Sequence, residues 1–201
     1  MSRNIIHTVG QHVFKFLPPE YTEMGAPVLA KHPDIDSNNN KTNNKPKFQF
    51  LGQGYYFWDF NIERAQKWGK DHYDDNYLIL EGDLVLQGES FLDLAGSRED
   101  LILFVKAFNK LAEYYPNLQV GEFFYWMQTM AKKEKIKWPY TIIRALNVKS
   151  KVRKVAFNRL RGSEMILDPE IIICFYEKNE LNIHNIHYID KNRKIWTPKK
   201  S

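Results

Sequence analysis

A change of periodicity partway along the chain limits its fold more than any other feature. Residues 97–133 carry two helix patterns back to back, whereas both flanks are cut into short apolar runs of strand length. Ser97 followed by Asp100 resembles a capping box, with Asp in place of the usual Glu or Gln. It opens an amphipathic helix through Leu101, Phe104, Val105, Phe108 and Leu111 that must end before Pro116. A second helix, over residues 120–133, sets Phe123, Phe124, Met127 and Met130 at helical spacing, the pattern of a core-facing stripe. Before these helices, residues 48–51 read as a short strand, Gly52-Gln53-Gly54 as a turn and residues 55–58 as another extended piece. Asp59 or Asn61 can then cap a helix over 62–72, with Ile62, Ala65 and Trp68-Gly69 on one face. Residues 77–79 and 84–86 read as strands, as do 140–146, 152–157, 164–167 and 171–176, the last two separated by Asp168-Pro169. Strands at both ends with helices between them argue an α+β fold.

The length, 201 residues, suits one domain spanning 1–201. The Asn-rich segment 34–47 has no apolar period and reads as a long mobile loop, and the residues before it are too few to fold alone. The lone cysteine, Cys174, excludes an internal disulfide framework, and its place in the apolar run 171–176 predicts a buried, inert thiol. Neither a signal peptide nor an apolar stretch of membrane-spanning length is present, so a cytoplasmic protein with no membrane partner is expected. The net charge of +5 is concentrated. Residues 147–162 hold Lys149, Lys151, Arg153, Lys154, Arg159 and Arg161 without an acid, and a basic tail covers 191–201. Such clusters neutralise the phosphates of nucleic acid or of a dinucleotide; a solvated strand face and a loose tail would have the same composition.

Three short stretches carry candidate chemistry. Ile5-Ile6-His7-Thr8 ends an apolar strand in an imidazole. Gly52-Gln53-Gly54-Tyr55-Tyr56-Phe57 is not a Rossmann fingerprint, because no third glycine follows and aromatics fill the place where a helix should begin. Gly162-Ser163-Glu164-Met165-Ile166-Leu167-Asp168 opens an apolar strand with an acid. Each alone has an ordinary structural reading: a strand-end histidine, a tight turn and a strand-edge carboxylate. A metal is not expected, since the pair His184-x-x-His187 lacks a third ligand.

In order and spacing the three stretches resemble the His–Tyr–Glu class of ADP-ribosyltransferases, the group of poly(ADP-ribose) polymerases and diphtheria-type toxins. The matching positions are His7, then Gly52, Gly54, Tyr56 and Phe57 running into a helix with a small residue at Ala65, then Ser163-Glu164-Met165-Ile166-Leu167-Asp168. The resemblance implies a split β-sheet core with helices between the strands, and NAD as co-substrate. It implies that Glu164 is catalytic, that His7 bonds the adenosine ribose, that the backbone of Thr8 grips the carboxamide, and that Gly54, Tyr56, Ala65 and Trp68 belong to the cofactor site. The chemistry suits these residue types. Breaking the nicotinamide–ribose bond develops positive charge on the ribose, as in glycoside hydrolysis, and a fixed carboxylate stabilises that charge. A pyridinium ring against an aromatic face gains on the order of 1–2 kcal/mol.

The chain departs from the family pattern at three places. Thr8 stands where the family commonly has glycine, and an ungapped count puts Lys67 where a second stacking tyrosine is usual, with Trp68 next to it. Trp68 is therefore expected either to close the pocket or to join the core. Gly162 stands two residues before Glu164, where the arginine- or guanine-directed Arg–Ser–Glu class has an acid or amide. The resulting expectation is a mono-ADP-ribosyltransferase acting on a macromolecule, with nucleic acid favoured by the basic stretch. Family members of this size are often toxins of toxin–antitoxin or anti-phage systems, which implies an antitoxin protein as a partner. The alternatives are an NAD glycohydrolase, a protein-directed transferase and a non-catalytic nucleic-acid-binding module.

Overall fold

The computed structural model describes residues 2–10, 29–30, 49–73, 77–86, 88–147, 154–158, 163–166, 169–177, 183–189 and 195–196. The polar segment 34–47, Gly162, Asp168 and most of the basic stretches 147–162 and 191–201 lie outside these residues.

Two strands more than the usual five or six residues long, β1 (Ser2–Gly10) and β4 (Tyr77–Val85), pair antiparallel over nine partners, from Ser2 with Val85 to Gly10 with Tyr77. The two strands expected at 77–79 and 84–86 are thus one, running unbroken through Glu81-Gly82-Asp83. On the other side of β4 lies β10 (Ile183–Ile189), which the sequence did not suggest, followed by β11 (Ile195–Trp196). The β10 ladder slips by one residue between His184 and His187, and Asn185 takes the left-handed conformation there, with φ of 51°. β1 continues through β3 (Gly54–Asp59) to β9 (Ile171–Phe175), β6 (Ile142–Leu146) and β5 (Phe91–Asp93). The sheet order is β11-β10-β4-β1-β3-β9-β6-β5, with β2 (Leu29–Ala30) off this path on β3. Only β5 and β6 pair in parallel. A separate two-stranded sheet joins β7 (Lys154–Asn158) to β8 (Ser163–Ile166).

Alternation along these strands divides the apolar side chains between two faces. On one face Leu51, Leu92, Ile143, Ala145, Ile172 and Cys174 pack with Phe123 and Phe124 of helix α3 (Val120–Lys132). Phe104 of helix α2 (Arg98–Ala112) joins them, its ring 5.3 Å from Phe123 and stacked 5.6 Å from Phe124. The expected core stripe of the second helix is therefore met at Phe123 and Phe124. On the other face Phe57, Ile142, Ile173 and Phe175 pack with Leu84 and Leu86, so the end of β4 folds back over the far half of the sheet. Helix α1 (Ile62–Tyr73) covers the near half through Ala65, which is buried against Tyr77, Ile79 and Ile189.

Local chemistry sets the helix ends. Asn61, not Asp59, caps α1: its side chain accepts the Arg64 amide at 3.0 Å and its carbonyl accepts the Ala65 amide. Ser97 caps α2 by accepting the Asp100 amide at 3.1 Å. The reciprocal half of the capping box is redirected, because the Asp100 carboxylate accepts the amide of Asp93 at 2.8 Å and ties the helix to β5. Residues 49–51, expected as strand, instead enter a turn closed by the Gly52 amide on the Gln49 carbonyl at 3.1 Å. Among the described residues no helix is long and apolar enough to cross a membrane.

Candidate functional site

A strand has two edges, and the outer edge of β3 is shared in an unusual way. One edge is taken by β9 along Tyr55, Tyr56, Phe57 and Trp58. On the other, β1 pairs only through Ile5 with Asp59 and Ile6 with Trp58, while β2 pairs through Leu29 with Tyr55 and Ala30 with Gly54. β1 nevertheless continues as a strand on β4 for four residues past Ile6. β1 and β3 thus diverge beyond Ile6 and Trp58, which splits the sheet, and β2 sits on the part of β3 that β1 has left. His7 and Thr8 follow the last β1 partner, and Tyr56 lies two positions from the last β3 partner. Three of the residues expected in an NAD site therefore stand on adjacent strands at the fork.

The Gly52-Gln53-Gly54 turn beside the fork is held from three sides. Gly52 has φ of 92°, a left-handed conformation that an L side chain rarely adopts. A Cβ on Gly54 would lie 2.5 Å from both Cys174 Sγ and the Phe175 carbonyl, so only glycine lets β3 approach β9 this closely. The Tyr56 hydroxyl donates to the Gly52 carbonyl at 2.6 Å and accepts the Leu51 amide at 2.8 Å. The Tyr176 hydroxyl donates to the Leu51 carbonyl at 2.9 Å, and the Gln128 amide reaches the Gln53 carbonyl at 3.2 Å. Burial, with Cys174 and Tyr176 close by, pushes the Tyr56 phenol well above its ordinary value, and burial does the same to Tyr176. Burial also pushes the Cys174 thiol up, which makes it the inert, protonated group expected from its sequence context. Tyr56 is thus a half-buried ring with its hydroxyl committed to the turn.

Ala65 and Trp68 share helix α1 but not an environment. Ala65 is fully buried. Trp68 is 44% exposed, which removes the core alternative; its ring stacks on His72 at 3.7 Å and tilts against Trp58 at 6.4 Å. Glu164 lies on β8, opposite Ala156 of β7, outside the nine-stranded sheet. Residues 167–170 tether the end of β8 to the start of β9, the neighbour of β3. His184 is exposed, whereas His187 Nε2 meets Glu81 at 2.8 Å; no group of three or more His, Cys, Asp or Glu among the described residues could hold a metal.

A buried charge cluster was not read from the sequence. Arg144, in the middle of β6, meets Asp59 at 2.8 Å through Nε and Asp93 at 2.8 Å and 3.1 Å through Nη1. Its side chain is 6% exposed, and that of Asp59 2%. Burial pulls the guanidinium pKa down, but the hydrogen bonds from Asp59 and Asp93 outweigh it, so the group stays fully charged. Asp93 also accepts the amides of Ala95 and Gly96. The cluster crosses β9, linking the end of β3 nearest the β1 ladder to β6 and β5. An arginine inside the run Ile142–Leu146 was the available signal, since a charge in a buried strand requires partners.

No protein-family model matches this chain, and neither does any curated protein or solved structure.

Proposed function

We propose that the chain is a mono-ADP-ribosyltransferase that cleaves NAD at the nicotinamide–ribose bond and transfers ADP-ribose to nucleic acid. The observation that carries the reading is the forked sheet: the β1–β3 ladder stops at Ile6 and Trp58, immediately before His7, Thr8 and Tyr56. A dinucleotide gripped by its adenosine ribose and its carboxamide needs polar groups on two strands that are close but unpaired. In this reading the backbone exposed at the fork binds the carboxamide beside Thr8, and His7 holds the ribose. The rigid turn fixes Tyr56, whose ring face rather than its hydroxyl meets the nicotinamide. Glu164, on the hairpin tethered to β9, supplies the carboxylate for the developing ribose charge. Trp68 borders the site from α1, and Ala65 and Gly54 act by letting the surrounding elements close up.

The net charge of +5 favours a polyanionic acceptor, and the biological role that follows from the family resemblance is a toxin restrained by an antitoxin. Labelled NAD incubated with the protein and separate pools of RNA, DNA and protein tests the reading. Nicotinamide release with label on RNA or DNA is expected. Label on protein alone overturns the acceptor, and release without labelled acceptor makes the chain an NAD glycohydrolase. Absence of nicotinamide release in all three pools removes the enzymatic reading.

A further inference from the structure

Helix α2 carries more apolar surface than its own domain covers. Phe104, Ala107, Phe108 and Leu111 point to the α3 side of the core, yet no residue of the helix is fully buried. Leu101, Ile102 and Val105 remain 44%, 44% and 43% exposed. Apolar residues within four positions of one another lie on one side of a helix, so these three form a flank beside the core-facing stripe. A helix that is apolar on two sides is ordinarily covered on both.

The charges on α2 say what covers the second side. Its first turn is acidic at Glu99 and Asp100, its last turn is basic at Lys110, and Arg98 and Glu113 mark its two ends. Among the described residues Arg98, Glu99, Lys106, Lys110 and Glu113 enter no ion pair. A two-fold axis beside Val105 lays two copies of the helix antiparallel, as an isologous contact requires. Arg98 of one copy then falls beside Glu113 of the other, and Glu99 beside Lys110. The symmetry makes each pair twice. Leu101, Ile102 and Val105 meet their own counterparts between the charged ends, giving an apolar centre with a charged rim. A parallel arrangement would instead set acid against acid and base against base.

We infer that the chain forms a homodimer through α2, with Val105 near the two-fold axis. The inference does not depend on the catalytic reading, because its test measures mass rather than turnover. Sedimentation equilibrium of the full chain between about 1 and 100 μM, the range for an interface of modest area, is expected to show a dimer that dissociates on dilution. Val105→Glu changes an exposed residue, and its unfolding midpoint should stay close to that of the parent. Its dimer should weaken by more than about 100-fold, as expected for a charge placed at the centre of an interface. Glu99→Lys should weaken the dimer roughly 10-fold by like-charge contact with Lys110, and Glu99→Lys combined with Lys110→Glu should restore it. A chain that is monomeric across the whole range overturns the proposal, as does a dimer untouched by Val105→Glu. Failure of the double exchange to rescue overturns the antiparallel arrangement.

Discussion

Tyr56→Phe separates the two roles that fall on Tyr56, because it keeps the ring and removes the hydroxyl. In the parent the oxygen donates to the Gly52 carbonyl at 2.6 Å and accepts the Leu51 amide at 2.8 Å. Each hydrogen bond of this kind contributes a net of about 1 kcal/mol, and a buried backbone group left without a partner costs about 1–3 kcal/mol. Leu51 is fully buried, so water does not readily replace the lost acceptor for its amide. Tyr176 still holds the Leu51 carbonyl and Gln128 the Gln53 carbonyl, so the turn loosens without being lost. The expected cost is therefore about 2–3 kcal/mol. Urea unfolding should show it as a lower midpoint at unchanged slope, and hydrogen exchange should show faster exchange at the Leu51 amide. NAD affinity should change by less than about 3-fold, since ring stacking survives and only a small fraction of a 1.4 kcal/mol step is at stake. Parent-like stability with a parent-like Leu51 exchange rate would refute the clamp. A large loss of NAD affinity would refute the assignment of the ring face, not the hydroxyl, to the ligand.

Other perturbations test the elements around the fork. Arg144→Ala strands the Asp59 carboxylate in the core and should cost about 3–5 kcal/mol, read as a fall in thermal midpoint; a midpoint within a degree or two of the parent contradicts the buried cluster. Gly54→Ala drives a methyl group into Cys174 and Phe175 and should cost about 1–3 kcal/mol, whereas an unchanged urea midpoint would mean that β3 and β9 are not in close contact. Alkaline pH should weaken the fold through groups whose folded-state pKa values are raised. The unfolded thiol loses its proton near pH 8.5 and unfolded phenols near pH 10, while folded Cys174, Tyr56, Tyr176 and Tyr188 hold theirs. The unfolded state then binds fewer protons, so stability is intact below about pH 8.5, falls above it, and falls more steeply above about pH 10. Flat stability from pH 8 to 11 would contradict the burial of these groups.

The elements legible in the sequence were those set by local chemistry. Ser97 begins α2 and the Phe123, Phe124 stripe builds α3 because capping and 3.6-residue spacing act over one or two turns. Strands β3 and β9 followed from apolar runs next to turn residues. What was missed depends on distant partners. β10 reads Ile-His-Asn-Ile-His-Tyr-Ile, and its imidazoles hide the alternation that its pairing with β4 reveals. Asp59 was a candidate cap until Arg144, 85 residues away in sequence, claimed its carboxylate and left Asn61 to the helix. Of the candidate site, the order of His7, Tyr56 and Glu164 was visible, but the divergence of β1 from β3 was not, because a ladder's end is decided by both strands. The exposed flank of α2 was also hidden, since Leu101 and Val105 fit the same helical stripe as Phe104 and Phe108.

Single-turnover nicotinamide release by the Glu164→Gln variant, alongside its NAD dissociation constant, tests the catalytic account most directly. Removing one fixed charge beside the ribose should slow release on the order of 10²–10³-fold with NAD binding little changed. A variant that releases nicotinamide as fast as the parent would show that the carboxylate on β8 has no part in the chemistry.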